Sequence, residues 1–340
     1  MNEHPLLELR NLSTHYISQG GRRVVRAVDD VSLALRAGET LGIVGESGSG
    51  KSTLALSMMR VLPPAARITQ GQLLLNGDDL VAKSDDEMRH IRGKQIAMIL
   101  QDPMASLNPL FTIGDQVGEP LRLHENASRR SAWERAIGLL KAVRIPSPET
   151  RVKQYPHEMS GGMRQRIVGA IGISCEPRLL IADEPTTSLD LTIQAQYLKL
   201  LRDLQLEHHL GLIFITHNLG IVARMCDQLA VMYAGRIVET GPVSAVFNRP
   251  AHPYTAALLR SIPRMTHTRE RLTAIEGQPP DPSTLPPGCA FASRCPSAFD
   301  RCRQDAPPVF AAADGRSARC WLLDDQAKPV TAHTAVAGAA

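Results

Sequence analysis

The chain has 340 residues, 43% of them hydrophobic, enough for one large domain with a smaller one or for two domains. Its formal charge of +4 is spread over both signs without a long basic block, so no nucleic-acid partner is indicated. No leader-like start and no apolar run of about 18 residues stands out, so a cytosolic protein with at most peripheral membrane contact is expected, and six cysteines in such a compartment do not suggest a disulfide scaffold.

Leu6-Leu7-Glu8-Leu9 and Thr14-His15-Tyr16-Ile17 read as two short strands, followed after Gly20-Gly21 by Val24 to Val28 and the alternating Val31 to Leu35. An antiparallel β-rich opening is predicted. Tyr16 is an aromatic upstream of a Gly-rich loop, where it can stack on an adenine ring or simply pack at a strand edge. Thr40 to Val44 is an apolar run that reads as a buried strand, and Thr53 to Arg60 reads as a helix closed by Pro63-Pro64. Between them, Gly45-Glu46-Ser47-Gly48-Ser49-Gly50-Lys51-Ser52 fits the phosphate-loop pattern of Gly, four residues, then Gly-Lys-Ser. The glycines let successive N–H groups turn inward around an anion, the helix N-terminus adds positive partial charge, Lys51 can reach terminal phosphates and Ser52 can place its hydroxyl on Mg²⁺. Nucleoside triphosphate binding is therefore expected of Gly45, Ser47, Gly48, Gly50, Lys51, Ser52 and Thr53; the bland alternative is a Gly/Ser-rich connector.

Gly71 to Gly77 carries an Asn-Gly turn behind an apolar run and predicts a hairpin. Ile96 to Leu100 predicts a buried strand ending at Gln101. From 112 to 157 the pattern turns helical, with Trp133, Ala136, Ile137 and Leu140 at i, i+3, i+4 and i+7 and interruptions at Pro146 and Pro148. Ser160-Gly161-Gly162-Met163, taken alone, is a helix cap and a flexible turn. Arg178 to Ala182 predicts another buried strand, ending in the adjacent carboxylates Asp183 and Glu184; ligands of open α/β sheets sit at such ends, so metal binding and catalysis are expected there. Ser188-Leu189-Asp190 follows, and Leu212 to Thr216 predicts a strand ending in His217.

In this order the motifs resemble the ATP-binding subunit of an ATP-binding-cassette (ABC) transporter over roughly residues 5 to 250. The resemblance implies an α/β phosphate-loop ATPase cassette with an antiparallel β subdomain and a helical insert at about 102–165, occupying 1–245, followed by a small cysteine-containing extension at 246–340. It implies two cassettes facing head to tail. Tyr16 would stack on adenine, Ser52, Gln101 and Asp183 would organise Mg²⁺, Glu184 would orient and deprotonate the attacking water, and His217 would contact the γ-phosphate. Ser160, Gly161, Gly162 and Met163 would form the signature that reaches the partner's ATP, and Asp190 would belong to the adjoining D-loop. The signature reads Met-Ser-Gly-Gly-Met where the commonest form has Leu first and Gln last; the Ser and both Gly remain, so a competent site is expected.

Gln101 to Pro109, Tyr155 to Arg166 and His252 to Leu259 look like the ATPase subunits of bacterial dipeptide and oligopeptide importers, strings that nickel and glutathione importers share. That resemblance implies a peripheral protein on the cytoplasmic face of the inner membrane, a second and homologous ATPase subunit in a heterodimer, two membrane permease subunits, and indirect work with an extracytoplasmic solute-binding protein. It implies ATP and Mg²⁺ as cofactors and a helical insert that receives a coupling helix of the permease. A soluble cassette ATPase acting on nucleic acid or the ribosome is the competing class; the single phosphate loop and the lack of sustained heptads argue against it.

Gln278 to Gly288 is Pro-rich, and a C-terminal extension wrapping on the cassette is expected, with a frayed end at Thr331 to Ala340. Cys289, Cys295, Cys302 and Cys320 are separated by five, six and seventeen residues, which matches neither paired zinc motifs nor the usual ferredoxin runs. Spacing alone identifies no metal. Gly-Cys-x-Phe-x-x-Arg-Cys-Pro from Gly288 resembles the tail of peptide-importer ATPase subunits, some of which bind a four-iron, four-sulfur cluster; zinc and unliganded thiols stay open beside it.

Overall fold

Two strands, where four short ones are expected, open the chain. β1 runs Leu7–Ser18 and β2 Arg23–Leu35, paired antiparallel from Leu7↔Leu35 to Ser18↔Arg23. The residues between the expected segments are bulges that shift the register without ending the pairing. Asn11 and Asp30 both take left-handed backbone, with φ of 50° and 55°, and Asn11 Nδ2 donates to Asp30 Oδ1 at 2.7 Å, so the two irregularities hold each other. This computed structural model describes residues 4–187, 189–261, 274–324 and 326. Ser188 and the stretch Thr331 to Ala340 lie outside the described residues.

β3 (Thr40–Val44) leads through the phosphate loop to α1 (Lys51–Met59), and β4 (Ala66–Leu75) turns at Asn76-Gly77 into β5 (Asp78–Asp79). Both turn residues have positive φ, as a tight two-residue hairpin requires. β1, β2, β4 and β5 form one antiparallel sheet in the order β2-β1-β4-β5. After α2 (Asp85–Ile91) and β6 (Ile96–Ile99) come α3 (Pro103–Ser106), α4 (Ile113–Glu125), α5 (Arg129–Ala142) and α6 (Pro148–Arg151). α5 buries Ala136 and Leu140 fully and lays Trp133 and Ile137 against the same core, the face its periodicity predicts.

α7 (Gly161–Ile173) returns the chain to β7 (Leu179–Asp183), α8 (Leu191–Glu207), β8 (Gly211–Ile215), α9 (Leu219–Met225), β9 (Gln228–Tyr233) and β10 (Arg236–Pro242). α10 (Val243–Asn248), α11 (Pro253–Arg260), α12 (Asp300–Gln304), β11 (Phe310–Ala311) and β12 (Ser317–Ala318) complete the fold. The second sheet has the order β11-β12-β10-β9-β3-β8-β7-β6, and β9, β3, β8, β7 and β6 are parallel. Every residue of β3, β7 and β8 is buried, which is why these strands read as unbroken apolar runs: both faces of a parallel sheet are covered. The insert helices and α8 cover one face, and α1 with the antiparallel sheet covers the other. Beyond the expected irregular tail, β12 adds to the open edge of β10 through Glu239↔Ala318 and Thr240↔Ser317.

Candidate nucleotide site

Because β3, β8, β7 and β6 are neighbours and parallel, their C-terminal ends lie along one edge of the sheet. The phosphate loop leaves β3 there, His217 follows β8, Asp183 ends β7 with Glu184 next, and Gln101 follows β6. Topology thus gathers groups that are far apart in sequence. One cavity is lined by Tyr16, Ser47, Gly48, Gly50, Lys51, Ser52, Thr53, Gln101, Glu184 and His217, with Val25 and Ala27 beside Tyr16. Tyr16 Oη stands 3.4 Å from Thr53 Oγ1, which places the side chain at the start of α1 in the cavity lining.

The loop is held open by its own backbone. Gly50, at φ 103°, occupies the left-handed region, and a Cβ there would also collide with the carbonyl of Ala27. Lys51 is buried at 7% exposure, and its Nζ donates to the carbonyls of Gly45 (2.8 Å) and Glu46 (2.9 Å). Burial pulls its pKa down, while Glu184, Asp183 and Glu46 pull it up. The ammonium sits on a carbonyl cradle in the wall of the cavity.

Asp183 is 6% exposed, and its Oδ1 is buried without a hydrogen-bond partner. Burial and the Glu184 charge push its pKa up, against the Ser52 hydroxyl and Lys51. An orphaned carboxylate oxygen on a residue hydrogen-bonded by the Ser52 hydroxyl suits a hard cation, so Asp183, Ser52 and the neighbouring Gln101 fit Mg²⁺. Glu184 has the positive φ of 45°, a conformation that carries strain in a non-glycine residue. Its Oε2 accepts from Gln101 Nε2 (3.2 Å) and Thr187 Oγ1 (2.9 Å), and its Oε1 meets His217 Nδ1.

Ser160, Gly161, Gly162 and Met163 do not line this cavity. Together with Asp190, Ile193, Arg144 and Arg166 they line a second one, and no residue belongs to both. Ser160 caps α7, its Oγ accepting from Met163 N at 3.3 Å, and Asp190 caps α8 by accepting from Thr192 and Ile193 N–H groups. A Cβ on Gly162 would approach Ile193 Cγ2 at 2.8 Å, so the second glycine lets α7 meet α8. The phosphate loop and the Ser160 segment therefore lie in separate cavities of this chain.

The model of the family described as "ABC transporter" matches residues 28–187, and that described as "Oligopeptide/dipeptide transporter, C-terminal region" matches 238–302. The oligopeptide transport ATP-binding protein OppD of Bacillus subtilis is 49% identical over 333 residues, covering 97% of this chain and 92% of the relative. The chain belongs to the ABC transporter family. The dipeptide transport ATP-binding proteins DppD of Bacillus subtilis (48% over 324 residues) and of Escherichia coli (46% over 325) each cover 95% of this ABC chain and 96% and 99% of their own length. Among solved structures, the dimeric ATP-binding cassette MJ0796 in a post-hydrolysis state with ADP and Pi is 25% identical, with a TM-score of 0.62, covering 70% of this chain and 98% of that one.

Three contributors to the ABC site come from residues that sequence reasoning passed over. Pro282 lines the nucleotide cavity, and its carbonyl accepts from Arg26 N at 3.1 Å. Glu46 N donates to Tyr254 Oη at 3.0 Å, and the Glu46 carboxylate meets Arg294. Tyr254 and Arg294 stood inside strings noticed only as subfamily marks, so their presence was visible but their partner was not. The cysteines converge as well: Cys289, Cys295, Cys302 and Cys320 line one small apolar cavity with Phe291, Trp321 and His252. All four are free thiols; burial pushes Cys289 up to about 11 and Cys320 up to about 12. Their donor set suits a soft metal in kind and number, yet among the described residues no group of three or more His, Cys, Asp or Glu side chains is arranged to hold a metal ion.

Proposed function

We propose that this chain is the ATP-binding and ATP-hydrolysing subunit that energises import of dipeptides or oligopeptides through a membrane permease. The observation that carries it is the pairing of near full-length likeness to dipeptide and oligopeptide transport ATP-binding proteins with a cavity that gathers Lys51, Ser52, Gln101, Glu184 and His217, with the buried Asp183 beside Ser52. Nickel, glutathione or another small solute would use the same ATPase chemistry, since nothing in this cavity touches the cargo.

In this reading Tyr16 stacks on adenine and the amides of Gly45 to Gly50 cradle the phosphates, with Lys51 neutralising the β,γ end. Bound Mg²⁺, held by Ser52, Asp183 and Gln101, supplies charge neutralisation at the transferring phosphoryl group. Glu184 accepts the proton of the attacking water, while Gln101 and His217, each within 3.2 Å of its carboxylate, fix its orientation and leave His217 facing the γ-phosphate. Hydrolysis requires the Ser160 signature of a facing cassette, so the working unit is a pair, formed with a homologous second subunit and docked on two permease subunits at the cytoplasmic face of the inner membrane, in concert with a solute-binding protein outside. No helix among the described residues is long and apolar enough to cross a membrane, in keeping with a peripheral subunit.

We place the nucleotide-binding domain at 1–245, with the helical subdomain at about 102–165, and the cysteine-containing extension at 246–340. From the resemblance of the Gly288 to Pro296 string alone we infer an iron-sulfur cluster on Cys289, Cys295, Cys302 and Cys320, with zinc and unliganded thiols as the alternatives; the described side chains are not arranged around a metal ion, and a bound cluster would tie this segment together. The test of transport is uptake: a strain lacking this subunit should lose accumulation of labelled dipeptide and regain it with the wild-type chain but not with Lys51→Ala. Unchanged dipeptide uptake alongside lost uptake of nickel or glutathione would reassign the cargo.

A further inference from the structure

Glu46 is the first variable residue of the phosphate loop, and it is gripped by a residue 248 positions away. Both oxygens of its carboxylate accept from Arg294, from Nη1 at 2.7 Å and Nη2 at 3.0 Å. The other N–H groups of this guanidinium are also spent: Nε donates to Glu276 O (2.9 Å), Nη1 to Tyr233 Oη (3.2 Å) and Nη2 to Ile275 O (3.2 Å). All five donors are thereby used, in a side chain only 4% exposed. The rings of Tyr233 and Phe291 lie 5.8 and 5.9 Å from the guanidinium carbon. A planar fork fixed at every N–H cannot slide, so it holds the carboxylate in one place.

That carboxylate belongs to the residue whose backbone seats the phosphate-binding lysine. Lys51 Nζ rests on the carbonyls of Gly45 and Glu46, and Tyr254 Oη accepts the Glu46 N–H at 3.0 Å. Arg294 ends the short turn Ala292–Arg294 between Cys289 and Cys295, while Tyr254 lies in the first turn of α11. Two elements beyond β10 therefore converge on one loop residue from both its side chain and its backbone.

We propose that Arg294 is a positioning residue for ATP binding: acting through Glu46, it holds the start of the phosphate loop, and with it Lys51, in the conformation that receives the triphosphate. The proposal rests on the ATP-binding reading of the cavity and adds that the cysteine-bearing segment is part of the nucleotide site's construction.

The test is titration of the full-length chain with the magnesium complex of a non-hydrolysable ATP analogue, together with KM and kcat for ATP in the assembled transporter. Arg294→Ala should weaken analogue binding about tenfold, the loss expected when one partner of a buried charge-assisted pair is removed. Arg294→Lys should fall between Arg294→Ala and wild type, because a lysine supplies the charge without the fork. Glu46→Gln should weaken binding in the same sense, and the double variant Arg294→Ala/Glu46→Gln no more than the worse single one. KM should rise by a larger factor than kcat falls, whereas mere loss of folded protein would lower apparent kcat at constant KM. If Arg294→Ala does not fold, Glu46→Gln decides, since that side chain is 26% exposed and on the loop itself. Wild-type affinity in Glu46→Gln or in a folded Arg294→Ala, or additive losses in the double variant, would overturn the positioning role. A wild-type chain that binds the analogue no better than Lys51→Ala would instead sink the nucleotide reading of the cavity, and this proposal with it.

Discussion

Nδ1 of His217, just beyond β8, stands 3.2 Å from Oε1 of Glu184, just beyond β7. Gln101 Nε2 holds the other oxygen at the same distance, so the carboxylate is oriented from both sides. Replacing Glu184 by Gln keeps shape and hydrogen bonding on one side but removes the proton acceptor. Steady-state ATP hydrolysis should fall by about 10²–10⁴, the range for loss of a positioned base, while ATP binding persists. Turnover above a tenth of the wild-type rate would show that Glu184 is not the base.

Ser160 and Lys51 sit in separate cavities of one chain, as the proposed head-to-tail pairing requires. Ser160→Arg, placing a bulky charge in the signature cavity, should impair hydrolysis at the partner's nucleotide by at least about tenfold and leave analogue binding at Lys51 within about twofold. Full activity of an assembled complex carrying this variant would count against the paired site.

Four thiols around one cavity make a metal analysis decisive. The proposed cluster predicts that anaerobically purified protein is brown and carries iron and sulfide, and that Cys295→Ser bleaches it. Colourless protein with stoichiometric zinc, or with no metal, would replace the cluster by one of its alternatives.

His252 is 2% exposed, and burial holds its imidazole pKa down, to about 4 from an ordinary 6.5. Its Nδ1 accepts the Tyr254 N–H at 3.0 Å and so caps α11 in the neutral form. The unfolded chain takes up a proton as pH falls through about 6.5, whereas the folded chain resists until about 4. The stabilisation is therefore complete above that upper value and is lost across the window below it, at up to about 1.4 kcal/mol per pH unit. His252→Asn retains a capping acceptor and does not titrate, so its melting temperature should drop less over this window than that of the wild type. Parallel curves for the two proteins would remove His252 as the source.

How much was legible depended on how far apart the interacting groups lie. The phosphate loop could be read at once, because its chemistry is packed into eight successive residues flanked by an apolar strand and a helix. The buried strands before Gln101, Asp183 and His217 were equally plain, since a parallel sheet covered on both faces demands unbroken apolar runs. Two opening strands form where the apolar pattern shows four short segments, because the polar residues Asn11 and Asp30 interrupt that pattern and only their cross-strand hydrogen bond makes them paired bulges. Tertiary structure alone decided that Glu184 would meet His217 and Gln101, since that follows from strand order, and that Arg294 would meet Glu46 across 248 residues. The one-dimensional pattern reports what each residue prefers around itself, but an arginine's preference for a carboxylate is met equally well by many partners; the fold chooses among them by bringing one within 3 Å and excluding water from it.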